Sequence, residues 1–331
     1  MKTSLIVITL MLTIILGCIS FFSFQAMAES GVELKAVSFL PKGNTGVDPA
    51  FWFINSVNER TKGKLTIKFV GGPETIPMFE QPEAIKRGAV DMIFNVTGFY
   101  VGQMPEGLSA QLSRISPMDE RKSGYYDLML ELHRKKLNAY YLGRFVSSRG
   151  FLIGTNSKVK APYDFKGKRL STGRVCDPFI KKLGAVPQFI PLTDVYTALE
   201  RGVADGVVFA TGSFLNFHWH EITKFFVNHI LFPAGNQTIL INLDKWNRIP
   251  SPLQDILKEE AVKLEYKVVD FCKKETVDNI KKIREAGVES IEFSKPDAEW
   301  WDKTSYEAQW EEVREKVSSE IYQKLRETTK K

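Results

Sequence analysis

Two stretches of this chain repeat one short pattern, and the repeat constrains the fold more than any other feature. Residues 83–95 (EAIKRGAVDMIFN) and 197–209 (TALERGVADGVVF) each contain an amphipathic helical pattern ending in Arg-Gly, then an aspartate, Asp91 or Asp205, then an apolar run. A glycine just past a helix can take the left-handed conformation that closes the last turn, and a short apolar run is typical of a buried strand. The repeat therefore predicts two similar α/β lobes. The alternative is a chance similarity between two common α/β units.

The repeat also predicts where a ligand would bind. In open α/β sheets, ligands bind beyond the carboxyl ends of the strands. Residues 95–100 and 209–214, which follow the two repeat strands, would then face each other across a cleft. This arrangement is typical of a binding protein that closes on a small molecule.

The N-terminus predicts export. Lys2 precedes an apolar run over residues 5–24, and Ala26 and Ala28 supply a small-residue cleavage site, so we expect a signal peptide cleaved after Ala28. Two alternatives stay open. The run is long enough to remain as a membrane anchor, and Cys18 faintly resembles a lipoprotein cleavage site.

Composition narrows the class of protein. The net charge of +6 is spread along the chain, with no basic block interleaved with aromatic residues, so nucleic acid is not an expected partner. After cleavage only Cys176 and Cys272 would remain, which is too few for a disulfide scaffold. Whether these two cysteines pair is left open.

The distribution of helix and strand signals agrees with two lobes. Ser251-Pro252 begins a helix with no breaker before Gly287, which is too long for one lobe and predicts a bridge between both. A terminal helix after Gly287 carries an apolar stripe that we expect to pack: Trp300, Trp301, Trp310, Val313, Val317 and Ile321. Other expected helices cover 49–61, 118–136 and 177–183, and expected strands cover 34–39, 65–70, 138–145, 169–172, 188–191 and 288–293.

Catalytic and metal-binding signatures are missing from the sequence. It contains no G-x-S-x-G, no H-E-x-x-H, no Walker loop and no dinucleotide fingerprint. His218 and His220 flank a tryptophan, but an extended strand would be needed to put both imidazoles on one face. We therefore predict no cofactor, no metal site and no enzymatic activity.

Arginines near strand ends are the strongest candidates for binding an acid, because the guanidinium group matches a carboxylate with two parallel hydrogen bonds. Arg149 and Arg174 both fall near predicted strand ends, although each could equally be an exposed charge. Further candidates follow the repeat strands or lie in the loop before the first repeat helix: Asn95, Thr97, Tyr100, Phe209, Thr211, and Glu80 or Gln81.

Several segments together resemble the solute-binding subunit of TRAP transporters, the DctP-type periplasmic binding family. Residues 190–206 (IPLTDVYTALERGVADG) are similar to the family's helix and strand in the second lobe. Residues 164–170 resemble its "D-L-K-G-K-K-I", 183–187 its "L-G-A-x-P", and 84–92 its "A-V-R-x-G-x-V-D-M". The order is preserved over the whole mature chain.

The resemblance implies an α/β periplasmic-binding-protein-like fold, in which two lobes are joined by crossing strands and a long bridging helix. After a signal peptide at 1–28, lobe I would comprise 29–150 plus about 232–275, and lobe II would comprise 151–231 plus about 276–331. Such proteins close on an organic acid.

The sequence departs from the family where the family usually holds a carboxylate. Ser171 stands at the position of the family's arginine, with Arg174 three residues on, and Phe209 replaces a frequent asparagine. Arg149 matches a second arginine often found in the pocket. Either Arg149 or Arg174 binds the carboxylate from another backbone position, or the ligand is not a simple carboxylate.

The resemblance implies a periplasmic protein that captures a small organic acid and delivers it to a TRAP membrane permease. An aromatic acid, or another acid less polar than a dicarboxylate, is left open as the ligand. A ligand sensor that docks on a membrane receptor is the first alternative, and a periplasmic enzyme is the second. We expect a monomer and leave a dimer open.

Overall fold

The computed structural model describes residues 31–147, 149–173, 175–232, 235 and 237–330. The strands are β1 (Val32–Ser38), β2 (Leu65–Gly71), β3 (Met92–Val96), β4 (Ala139–Val146), β5 (Phe151–Thr155), β6 (Arg169–Thr172), β7 (Val186–Gln188), β8 (Gly206–Ala210), β9 (Phe225–Leu231), β10 (Gln237–Asn242) and β11 (Glu289–Ile291).

The α-helices alternate with these strands along much of the chain. They are α1 (Asp48–Thr61), α2 (Gln81–Lys86), α3 (Pro117–Ser123), α4 (Tyr125–Leu137), α5 (Asp177–Lys182), α6 (Val195–Glu200), α7 (Thr211–Asn216), α8 (Leu243–Arg248), α9 (Ser251–Glu285), α10 (Lys295–Lys316) and α11 (Ser319–Thr328). Short 3-10 helices cover Thr45–Val47, Thr97–Tyr100, Pro105–Leu112, Pro162–Phe165 and Trp219–Glu221.

The strands form two separate sheets, one in each of two lobes. The sheet of lobe I has the order β2-β1-β3-β10-β4, and β10 runs antiparallel to both of its neighbours. The sheet of lobe II has the order β11-β9-β5-β8-β6-β7, and β5 is the antiparallel strand. The predicted two-lobed α/β fold is confirmed.

The repeated sequence pattern makes the same local structure in both lobes. Gly88 and Gly202 follow the repeat helices with φ of +73° and +67°. The carboxylate of Asp91 accepts the backbone N–H of Lys35 on β1 at 2.8 Å. Likewise, the carboxylate of Asp205 accepts the backbone N–H of Arg169 on β6 at 2.8 Å. Each aspartate thus fixes its strand beside the parallel strand next to it.

Three connections carry the chain between the lobes: the segment from β4 to β5, the segment from β9 to β10, and helix α9. The first part of α9 buries Leu253, Leu257 and Leu264 in the core of lobe I, whereas Ile283 near its end lies in the core of lobe II. The predicted bridging helix is therefore confirmed. The predicted lobe boundaries remain a prediction.

Some predicted elements differ from the structure. The helix expected over 118–136 is divided by Gly124 at φ +87°, which separates α3 from α4. The terminal helix α10 ends at Lys316 because the backbone of Val317 is extended, and a separate helix, α11, begins at Ser319. Trp300 is exposed. The strand expected at 188–191 is β7, which begins two residues earlier and ends three residues earlier, at Gln188. Strands β5, β9 and β10 were not predicted.

The buried aromatic residues of α10 have the expected role in packing. Trp301 and Trp310 are fully buried, and Trp301 lies edge-on to Phe179 of α5 at 4.8 Å. Helix α11 then lies near lobe I, where the Thr329 carbonyl accepts the N–H of Arg114 at 2.9 Å. The C-terminal segment thus contacts both lobes.

Within the described residues, none of the helices combines the length and apolar character that a membrane crossing requires. The predicted signal peptide and Cys18 lie outside the described residues. Cys176 and Cys272 are buried free thiols, and burial raises the pKa of both.

Candidate functional site

A cavity of about 100 Å³ lies between the lobes, where four parallel strands end. Phe39 follows β1, Val96 ends β3, Gly173 follows β6 and Ala210 ends β8, and all four residues line it. This is the position that the strand-end rule predicts for a ligand. A larger depression of about 840 Å³, lined by Arg114, Lys273 and Tyr306 among others, lies away from these strand ends.

The wall of the cleft cavity is mostly apolar. Its large apolar residues are Phe39, Leu40, Val96, Phe99, Phe151, Val175, Leu192, Phe209 and Phe217, and its polar residues are Asn44, Thr45, Arg149, Ser213, Asn216 and Gln237. Such a wall suits a small molecule with an apolar body and few polar groups.

Among the described residues of this wall, Arg149 is the charged one, and it lies on the connection from β4 to β5. Its side chain is only 4 % exposed. Nε donates to the Glu275 carboxylate at 2.7 Å, Nη2 bonds to the same carboxylate oxygen, and Nη2 also lies 3.5 Å from the Thr45 carbonyl oxygen. Among the residues that the structure describes, Nη1 has no hydrogen-bond partner. One N–H edge of Arg149 therefore remains available to a ligand.

The side chains of Asn95 and Gln81 lie behind the cavity rather than in its wall. Both are fully buried, and Asn95 Nδ2 donates to Gln81 Oε1 at 2.7 Å. Gln81 Nε2 in turn donates to the carbonyl oxygens of Ser38 at 2.8 Å and Ile76 at 3.0 Å. These amides hold the loop before α2 against the end of β1. Glu80 is exposed at the start of α2 and does not line the cavity.

Thr97 and Tyr100 are also buried within lobe I. The Tyr100 hydroxyl is 2.9 Å from His133 Nε2, and burial raises the Tyr100 pKa. Burial lowers the pKa of His133 to about 4, which keeps the imidazole neutral. Gly98 and Phe99, from the same 3-10 helix as Thr97 and Tyr100, line the cavity instead.

In lobe II, Phe209 lines the cavity, whereas Ser171 and Thr211 are fully buried. The Thr211 hydroxyl accepts a hydrogen bond from Asn279 Nδ2 at 3.4 Å, and Ser171 Oγ has no partner among the described residues. Arg174 lies outside the described residues. Of the sequence-predicted side chains, the structure thus brings Arg149 and Phe209 together in the cavity wall.

Sequence reasoning missed the polar contacts between the lobes. Asn216 Nδ2 of α7 donates to Thr45 Oγ1 of lobe I at 3.0 Å, and both residues line the cavity. Applying the strand-end rule to β1 as well as to the repeat strands would have pointed to Thr45. Glu275 was missed because nothing in a long polar helix marks one glutamate as the partner of Arg149.

Aromatic residues also join the two lobes. Phe79 contacts the cavity residue Phe99, with ring centroids 4.6 Å apart, and Phe189 of lobe II at 5.5 Å. Phe79 and Phe189 are 44 % and 46 % exposed, so this contact lies at the protein surface. It would be lost if the lobes moved apart.

The two histidines singled out in the sequence have local partners. His218 Nδ1 lies 2.9 Å from the Glu221 carboxylate, and His220 Nδ1 lies 2.8 Å from the Phe214 carbonyl oxygen. Across the described residues, no group of three or more His, Cys, Asp and Glu side chains is placed to hold a metal ion.

Comparison with known proteins identifies the family. Residues 37–316 match the model of DctP, the bacterial extracellular solute-binding proteins of family 7. This chain belongs to the DctP family. The chain is 23 % identical over 279 residues to a C4-dicarboxylate-binding periplasmic protein of Rhodobacter capsulatus, which covers 80 % of this chain and 79 % of that protein.

Solved structures share the DctP fold at low sequence identity. A Bordetella pertussis extracytoplasmic solute receptor binding pyroglutamic acid has a TM-score of 0.76 at 16 % identity, covering 90 % of this chain and 99 % of that one. A TRAP periplasmic solute-binding protein from Desulfovibrio salexigens with bound orotic acid has a TM-score of 0.75 at 17 % identity, covering 89 % and 96 %. These three relatives bind small organic acids, and the family is solute-binding rather than catalytic.

Proposed function

We propose that this protein is exported, captures one small organic acid between its lobes, and delivers it to a TRAP membrane permease without chemical change. The observation that carries the proposal is the buried Arg149 side chain, which lies in an interlobe cavity with one N–H edge available. Membership of the DctP family and the acids bound by its relatives support the ligand class.

Binding would favour the closed arrangement of the lobes. A ligand in the cavity contacts lobe I through Phe39 and Phe99 and lobe II through Phe209 and Ser213. Because only the closed form offers both sets of contacts, the ligand shifts the population toward closure. The contacts Phe79–Phe189 and Asn216–Thr45 would form at the same time and add to the stability of that form.

The ligand is best sought with a thermal-shift screen of aliphatic and aromatic organic acids. Saturating amounts of a tight ligand stabilise a protein by a few kcal/mol, which gives a clear shift of Tm. A full screen of small acids without any shift would contradict the proposed function. Turnover of any acid during incubation would favour the periplasmic enzyme instead.

The role of Arg149 is tested with the tightest acid from the screen. Arg149→Ala should weaken binding by at least about 1.5 kcal/mol, because a charged hydrogen bond to the carboxylate is lost. Isothermal titration calorimetry measures this directly. Arg60→Ala is the control, since Arg60 pairs with Glu260 on the outside of lobe I. Equal affinity of the Arg149 variant and the control would remove Arg149 from the site.

Export and delivery need separate tests. Mass spectrometry of the protein purified from its native host should give a mature chain that begins at Glu29. A chain that retains residues 5–24, or one that is lipidated at Cys18, would show membrane anchoring instead. Ligand uptake by vesicles carrying the permease should depend on added protein; the sensor alternative predicts no uptake.

A further inference from the structure

The positive charge of Arg149 is already compensated inside the protein. Glu275 of α9 accepts hydrogen bonds from both Nε and Nη2, and its side chain is only 13 % exposed. Most of the cation's attraction for an anion is therefore satisfied before any ligand enters. Nη1 keeps a donor, but the pair as a whole has no net charge.

No other charged side chain among the described residues lines the cavity. Arg149 and Glu275 together give zero formal charge. Arg174, which the structure does not describe, would add a single positive charge by its sequence alone. On either count, at most one carboxylate of a ligand could be compensated.

A second carboxylate would be costly in such a cleft. Moving an unpaired carboxylate from water to an apolar wall without a partner is strongly unfavourable, and a second anion would also be repelled by Glu275. A ligand with one carboxylate can use the Nη1 donor, which has no partner among the described residues, and place the rest of its surface against the phenylalanine rings.

We propose that Glu275 sets the charge of the ligand, so that the cleft takes a small organic acid with one carboxylate in preference to a dicarboxylate. This inference rests on the proposed function, and it names the class of acid that the same cavity binds. Glu275 acts through Arg149, whose charge it balances and whose Nε and Nη2 it holds away from the ligand.

The test compares dicarboxylates with their monoamides, which have nearly the same shape and one negative charge fewer. The probes are succinate with succinamate, and isophthalate with 3-carbamoylbenzoate, measured by isothermal titration calorimetry. The wild type should bind the tighter monoamide at least about tenfold better than its dicarboxylate. Glu275→Gln, which frees the Arg149 charge, should reduce that ratio by at least about tenfold.

Glu259→Gln is the matched control, because Glu259 lies on the same helix but pairs with Arg60 at the surface. It should leave the ratio unchanged. A ratio in Glu275→Gln within twofold of the wild-type ratio would overturn the proposal. Should the Glu275 variant fail to fold, the wild type still decides, since a dicarboxylate as its tightest ligand contradicts the proposal and a monocarboxylate supports it.

The two proposals fail in different ways. If the wild type binds none of the probes and none of the acids in the wider screen, the proposed function itself is contradicted. If it binds acids but prefers the dianions, only the role of Glu275 is overturned.

Discussion

The two repeat units of this molecule have the same backbone but use their side chains differently. In both units a glycine in the left-handed backbone conformation follows a helix, and an aspartate accepts a backbone N–H from the neighbouring strand. Immediately after the aspartate, lobe I has Met92 and lobe II has Gly206. Met92 is buried in the core of lobe I, whereas Gly206 lies directly against the backbone of β5.

The strand ends differ as well. After β3, the polar side chains of Thr97 and Tyr100 are buried in lobe I, and the cleft is lined by Gly98 and Phe99. In β8, Phe209 near the end of the strand lines the cleft. The repeat thus fixes where the cleft lies, while its polar chemistry comes from segments outside the repeat, above all from Arg149.

Substitutions at Met92 and Gly206 should show the largest difference between the two repeat units in their effect on the free energy of unfolding. A Cβ at position 206 would lie 2.5 Å from the Gly154 carbonyl oxygen and 2.8 Å from Leu170 Cδ2, so Gly206→Ala must move backbone atoms. We expect a loss of about 3 kcal/mol in the free energy of unfolding, against less than about 1.5 kcal/mol for Met92→Leu. Urea denaturation measures both, and equal losses would show that the two positions are packed alike.

Lowering the pH should destabilise lobe I more than lobe II. Burial lowers the pKa of His133 to about 4, below the value of about 6.5 expected in the unfolded chain. The free energy of unfolding is therefore highest above about pH 6.5 and falls as the pH drops toward 4, because the unfolded chain takes up a proton that the folded His133 does not. The loss is about 2 kcal/mol between pH 7 and pH 5. Hydrogen exchange is measured at both pH values and expressed as protection factors, because intrinsic amide exchange is itself slower at pH 5. Protection in α4 and β10 should be lower at pH 5 than at pH 7.

The control for this prediction is His133→Gln, which should lose most of the pH dependence in lobe I. Lobe II has no fully buried histidine among its described residues. If the amides of lobe II lost as much protection at pH 5 as those of lobe I, His133 would not be the cause.

The smallest effect should be equal in the two lobes. Gly88→Ala and Gly202→Ala both put a side chain at positive φ, where an L-residue costs about 1 to 2 kcal/mol. A Cβ at Gly202 meets no atom within 4 Å, and one at Gly88 is 3.6 Å from Asn242, so neither clashes. Thermal unfolding should show that the two variants lose the same amount of stability. A clear difference between the two losses would show that the two turns are not equivalent.

Local patterns explain what the sequence predicted well. The glycine and aspartate of each repeat act within a few residues or on the next strand, and α9 begins at a Ser-Pro start signal and ends just before Gly287. By contrast, β10 pairs with β3 and β4, which are distant along the chain. Its six residues carry no turn signal that marks them as a strand. Its position depends on tertiary contacts.

The site was predicted less fully because side-chain direction depends on strand register. Successive residues of a strand point to opposite faces, so Val96 lines the cavity while its neighbours Asn95 and Thr97 are buried in lobe I. The Arg149–Glu275 pair joins residues 126 positions apart. No local pattern connects such residues, and only the fold brings them together.

Closure of two lobes on an acid is the central claim, and small-angle X-ray scattering tests it most directly. The wild type is measured alone and with a saturating amount of the tightest acid from the screen. We predict that the radius of gyration falls when the acid binds, because the lobes close over it. An unchanged radius of gyration, at a concentration where calorimetry shows full occupancy, would contradict the account.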